Sequence, residues 1–287
     1  MKVIECINLT KSFDKKTVLK DLNVSFEEGR IYALIGRNGA GKTTLLNTIV
    51  TKYLPDSGSV ELYGNEAYEN IAALKKVCFM SDSMSGFSNM RVLQIFDYAR
   101  DFYSNWDEEY KDKLVKLYGV EKKKRYITLS KGQQTAVSLI VGMASGCPVV
   151  LYDEIYSGLD AVARKEFYNL LLNEYYDNNR TFIISTHLID EMSTIFTDAV
   201  IIDEGKITLI DNMEEIKRKA FGFTGRKESM NILEDKNIVG KSNIGGLSEY
   251  IVYDNFSSEE IEKYKGYGLD VKSVSLQDLF IAMTYKN

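Results

Sequence analysis

Residues 31–50, IYALIGRNGAGKTTLLNTIV, decide how this chain is read. Ile31 to Ile35 form an unbroken apolar run, the pattern of a central parallel strand covered on both faces. A glycine-rich turn follows, and after it a helical run, TLLNTIV. The turn has the spacing G-x-x-x-x-G-K-[ST], with Gly36, Asn38, Gly39, Gly41, Lys42 and Thr43 in place and Thr44 next. Glycines let backbone N–H groups turn inward at the positive end of a helix, where phosphate is stabilised. Lys42 supplies a point charge for β- and γ-phosphates, and the Thr43 hydroxyl is a ligand for Mg²⁺. A strand, this turn and a helix together predict a nucleotide site.

Such a site needs an acidic partner at the end of another apolar strand, and VVLYDE (149–154) supplies it. Asp153 is placed to hold Mg²⁺, through water, and Glu154 to polarise an attacking water as general base. Between the two lies TLSKGQQTAVSLIVGMASG (128–146), in which a turn at Ser130 and Gly132 opens a helix with free N–H groups and positive partial charge. Two phosphate-binding helix ends, each capping its own subdomain, are hard to fold onto one nucleotide within one chain; facing copies bring them together. FIISTHLIDEM (182–192) closes a further apolar run and holds His187, the sequence's single histidine. A lone histidine is usually a satisfied structural residue, but this one ends a strand in the company of the other motifs.

The rest of the composition narrows the field. The chain has 287 residues, 45% apolar and 27% charged, with a net charge of −5. That is the balance of a globular protein of one large domain with a small appendage, and Lys and Arg are spread without a polybasic face, which argues against a nucleic-acid partner. No stretch approaches the length and apolarity of a membrane span, and the start, MKVIECINLTKSF, is not that of a signal peptide. Cys6, Cys78 and Cys147 are scattered, as expected of buried thiols in a reducing compartment.

Short strand patterns fill residues 1 to about 82, helical patterns run from about 89 to 145, and strand–helix alternation then resumes to about 215. This predicts an α/β core with a helical insertion at about 84–145. Residues 216–287 read as a small α+β appendage, with helix starts marked by Ser257 with Glu260 and Ser275 with Asp278. Because the tail carries its own caps and apolar faces, it is expected to be dispensable for nucleotide binding but not for assembly or regulation. Residues 224–246 receive no assignment.

GRNGAGKTT, LSKGQ, VVLYDE, SGLD and ISTH, in this order, resemble the nucleotide-binding subunit of an ATP-binding-cassette (ABC) transporter over residues 1–215. The resemblance implies a P-loop NTPase fold with an N-terminal β-subdomain, a RecA-like core and a helical insertion. Carried over by position, Gly36–Thr44 are the Walker A loop and Asp153–Glu154 the Walker B end. Ser130, Gly132 and Gln133 belong to the signature motif, residues 157–160 through Asp160 to the D-loop, and His187 is the switch histidine. Phe13 matches the aromatic that stacks on adenine. The family implies ATP and Mg²⁺ as ligands, hydrolysis by Glu154 and His187, and a second cassette, identical or paralogous, closing head-to-tail. It further implies a membrane permease that holds the subunit peripherally on the cytoplasmic face.

Three positions depart from the family's common form: Lys131 for a signature glycine, Ile155 for the proline after the catalytic glutamate, and Asp82 for the Q-loop glutamine. Asp82 would add a third carboxylate near the metal, or else point away as a loop cap. The insertion's aromatics, Phe96, Tyr98, Phe102, Tyr103 and Trp106, read mostly as subdomain core. FYSNWDEEY, LSKGQ and SLQDLF resemble ATPases of two-component exporters of the bacitracin-resistance, acetoin-utilisation or amphipathic-peptide kind. A soluble assembly ATPase without a permease is the rival reading.

Overall fold

The computed structural model describes residues 1–82, 84–156 and 158–285. Its centre is a six-stranded sheet in the order 206–212, 198–203, 31–35, 181–186, 149–153, 77–81. All pairings are parallel except that of 206–212 with 198–203. The strands Ile31–Ile35, Val149–Asp153 and Thr181–Thr186 are buried at every position, which is why their sequences lack alternation. An antiparallel sheet of Lys2–Phe13, Lys16–Glu27, Ser57–Leu62 and Asn65–Glu66 packs its alternating apolar residues into a core shared with Leu45, Leu46 and Ile49 of the helix Lys42–Ile49.

The insertion contributes helices Val92–Phe102, Glu108–Leu117 and Lys131–Ala144. Phe96 and Tyr103 are buried there, but Tyr98 and Phe102 are 62% and 49% exposed. These two instead border an apolar cleft with Met80, Met84, Phe87 and Ile95, so part of the aromatic run is surface rather than core. The signature helix ends at a buried guanidinium: Arg180 donates to the carbonyls of Gly142, Met143 and Cys147 and to Glu174.

Residues 220–273 build a third, antiparallel sheet in the order Ile238–Ile244, Leu247–Tyr253, Ala220–Gly225, Asp270–Ser273. One face packs Phe223, Val252, Tyr264 and Leu269 into a small core of its own. The stretch left unassigned contains a 3₁₀ segment, Lys227–Leu233, and the edge strand Ile238–Ile244. The last helix, Leu276–Thr284, turns back: Leu276 and Leu279 are buried in the cassette core with Met213 and Ile216. Ala282 on this helix lies so close to Gly240 that a Cβ there would approach its own Cβ at 2.7 Å. Among the described residues no helix is long and apolar enough to cross a membrane.

Candidate nucleotide site

Register aligns the site. Ile35 pairs with Thr186, and Asp153 pairs with both Ser185 and Ser81. The residues that follow these positions therefore leave the sheet side by side: Gly36, His187, Glu154 and Asp82. Ligands in open α/β sheets bind at this carboxyl edge.

The glycine-rich loop needs its glycines. Gly39 and Gly41 have φ of +80° and +116°, and a Cβ on Gly36 would meet the Ile202 carbonyl oxygen at 2.5 Å. Gly41 caps the helix Lys42–Ile49 without a side-chain bond, leaving its first-turn N–H groups for an anion. Lys42 is buried, and its ammonium donates to the Gly36 carbonyl at 2.7 Å. Burial pushes its pKa below the ordinary lysine value, against the raising effect of Glu154 and Asp153. Asn38 and Thr43 are exposed and Thr44 half-buried, so the loop's mouth is open.

Asp153 is buried and accepts the Ser185 hydroxyl at 2.5 Å. Ser185 also accepts the Glu154 N–H at 3.1 Å, fixing both acids on one side chain. Glu154 lies 3.9 Å from Lys42 Nζ and 3.9 Å from His187 Nδ1, between the loop and the histidine. It holds φ of +51°, the left-handed region that non-glycine residues rarely occupy. Behind His187, the buried Tyr156 hydroxyl accepts the histidine's backbone N–H at 2.8 Å and sits 3.3 Å from its Nδ1.

Ser130 caps the signature helix, accepting the N–H of Gln133 at 3.3 Å. A Cβ on Gly132 would come within 2.7 Å of the Gly158 carbonyl oxygen, so the signature turn and the loop after Tyr156 are in backbone contact. Gln133 donates to the Gly119 carbonyl, and Asp160 caps the next helix through the N–H of Ala163. Ser157 lies outside the described residues. Phe13 is 40% exposed, edge-on to Tyr53 and under the Lys11 ammonium.

Asp82 and Lys131, the two charged departures, meet each other. Lys131 Nζ donates to Asp82 Oδ2 at 2.7 Å and to the Asp82 carbonyl at 3.0 Å. Among the described residues no group of three or more His, Cys, Asp or Glu is placed to hold a metal ion. Thr43 and Asp153 remain as hard oxygen donors, the kind of set with which Mg²⁺ is held by one carboxylate together with substrate phosphates. Tyr156 and Ser185 were not singled out from the sequence as parts of the site, and Asp82 and Lys131 were named separately but not as a pair. Ser185 stood inside the quoted ISTH motif, whereas 49 residues separate the charged pair.

A phosphate-binding loop, two acids and a histidine at the carboxyl edge of a parallel sheet define a P-loop nucleoside-triphosphatase. Residues 19–157 match the family described as "ABC transporter". The ABC transporter ATP-binding protein YtrB of Bacillus subtilis (strain 168) is 26% identical over 98% of this chain and 97% of its own length. The bacitracin transport ATP-binding protein BcrA of Enterococcus faecalis is 28% identical over 77% and 73%. The solved ATP-binding subunit of an ABC transporter superposes with a TM-score of 0.67 at 21% identity, covering 75% of this chain and 92% of that one. A dimeric cassette in a post-hydrolysis state with ADP and Pi gives 0.62 at 19%, covering 73% and 98%. Residues 19–157 are an ABC transporter ATP-binding domain, and the chain is an ATPase of the cassette fold.

Proposed function

We propose that this subunit hydrolyses ATP with Glu154 as the base that orients water and His187 as the group that contacts the γ-phosphate. The observation that carries the reading is the placing of Glu154 between Lys42 and His187, 3.9 Å from each. Lys42, Gly36, Asn38, Gly39, Gly41 and Thr44 hold the phosphates, and Phe13 stacks on the base. Thr43 and Asp153 hold Mg²⁺, which when bound neutralises charge on the β- and γ-phosphates. Asp82, paired with Lys131, is left to the edge of that site.

Two cassettes close head-to-tail, each presenting Ser130, Gly132 and Gln133 to its partner's nucleotide, with Asp160 near the contact. The apolar cleft bordered by Phe87, Tyr98 and Phe102 receives a helix of a membrane permease, which keeps the subunit on the cytoplasmic face. Closure is driven by the higher affinity of ATP for the closed pair. The likeness to a bacitracin transport protein supports export of a peptide, antibiotic or amphipathic substrate. Residues 1–215 act as the cassette and 216–287 as a regulatory unit. That unit reaches the site through its last helix: Gln277, Phe280 and Ile281 border a cavity of about 460 Å³ with Asn38 and His187.

Glu154→Gln keeps the side chain's shape and removes the base. It is expected to bind ATP with unchanged affinity, to lose nearly all turnover, and to run as a dimer in gel filtration with ATP. Near-normal turnover overturns the assignment.

A further inference from the structure

We infer that Tyr156 is a positioning residue that fixes which ring nitrogen of His187 carries the proton. The phenol is wholly buried, whereas the imidazole is 55% exposed, so an anchored hydroxyl lies beneath a side chain that faces solvent. The rings meet edge-on at 5.5 Å between centroids. The phenol oxygen accepts the backbone N–H of His187 at 2.8 Å. With that N–H as its donor, the phenol has its one O–H to give. His187 Nδ1, at 3.3 Å, receives it. An Nδ1 that accepts is bare, so the ring proton sits on Nε2.

The other polar neighbour of Nδ1 makes the opposite demand. Glu154 Oε2, at 3.9 Å, can only accept and would favour a proton on Nδ1. The phenol is nearer and prevails. The consequence is a division of labour: Nε2–H is presented as a donor to a phosphate oxygen, and Glu154 is left to orient water rather than to bind the histidine. Burial pushes the Tyr156 pKa up to about 12, which keeps the phenol a donor at physiological pH. The inference rests on the proposed role of His187 for its catalytic meaning, but the position of the proton can be measured by itself.

The sole imidazole of the ¹⁵N-labelled full-length protein gives long-range ¹H–¹⁵N signals that need no assignment. The expected pattern in the wild type is a protonated Nε2 and a bare Nδ1. In Tyr156→Phe the acceptor Glu154 remains 3.9 Å from Nδ1, so the Nδ1 signal should move toward the protonated position. The kcat should fall about tenfold, as for the loss of one hydrogen bond, with the KM for ATP within twofold. A merely structural role for Tyr156 would lower stability without moving the ¹⁵N pattern. A protonated Nδ1 in the wild type, or an unchanged pattern in a folded Tyr156→Phe, overturns the inference; should that variant not fold, the wild-type spectrum decides. If the tautomer is as expected while His187→Ala hydrolyses ATP at the normal rate, the positioning stands and the catalytic reading of His187 falls.

Discussion

Asp82→Asn separates an ion pair from a metal ligand. The Asp82 carboxylate is 37% exposed and the Lys131 side chain 50%, so water screens their contact at 2.7 Å. Pairs of this exposure contribute about 0.2–1 kcal/mol. At 1.36 kcal/mol per factor of ten, that corresponds to at most about fivefold in any linked equilibrium. The substitution leaves the Lys131 bond to the Asp82 backbone carbonyl intact, which keeps the effect near the lower end. The assay is the Mg²⁺ dependence of ATP turnover for the wild type, Asp82→Asn, Lys131→Gly and the double variant. Each single change should alter the rate less than about fivefold and leave the Mg²⁺ half-saturation in place. The double variant should be no worse than Lys131→Gly, which already removes both bonds to Asp82. Differences should shrink at about 1 M salt, where the screening length is about 3 Å. A rise of tenfold or more in the Mg²⁺ half-saturation for Asp82→Asn alone would refute this reasoning and show that the carboxylate turns to the metal.

Leu279→Ala should destabilise the cassette by about 2–5 kcal/mol, because Leu279 is wholly buried in its core; urea unfolding monitored through the nucleotide domain checks it. The same packing adds a stability cost to removing the tail: a chain ending at 275 should still bind ATP but melt at lower temperature. Arg180→Ala should cost about 3–5 kcal/mol, since it strands the buried Glu174 and frees three carbonyls, and chemical denaturation reads this directly. Cys6 and Cys147 are buried, and their pKa values are pushed up to about 12, chiefly by burial; Cys78 is buried and shifted the same way. Raised values mean that the thiols stay protonated at pH 8, so a thiolate-directed reagent should label none of them in folded protein and all three in urea.

The nucleotide core was open to reading because its signals are local. IYALI, VVLYD and TFIIST announce themselves by unbroken apolar runs, and the turn after the first cannot be built without glycine. The C-terminal sheet was partly hidden because its strands are not unbroken apolar runs, and its edge strand, IVGKSNI, alternates poorly and contains a glycine that receives Ala282. The last helix was found from Ser275, but its partner was not, since an apolar stripe does not say which core it enters. The site divides in the same way. Positions within motifs could be named in advance, whereas Asp82 with Lys131 and Tyr156 with His187 depend on which strands lie side by side. Tyr98 and Phe102 are the minority of that aromatic run: Phe96 and Tyr103 are core as expected, and only the packing reveals which of the run lie on the surface.

The left-handed backbone at Glu154 sets a conflict between endurance and turnover. A side chain in this conformation costs about 1–2 kcal/mol relative to glycine, which adopts it freely. Variants chosen only for surviving heat should therefore accumulate glycine or asparagine at position 154, gaining stability and losing the proposed base in one step. The reverse follows from the proposed role: a lineage that keeps Glu154 as base keeps this strained residue and offsets its cost elsewhere, and the bonds of Ser185 beside it make an unfavourable backbone tolerable.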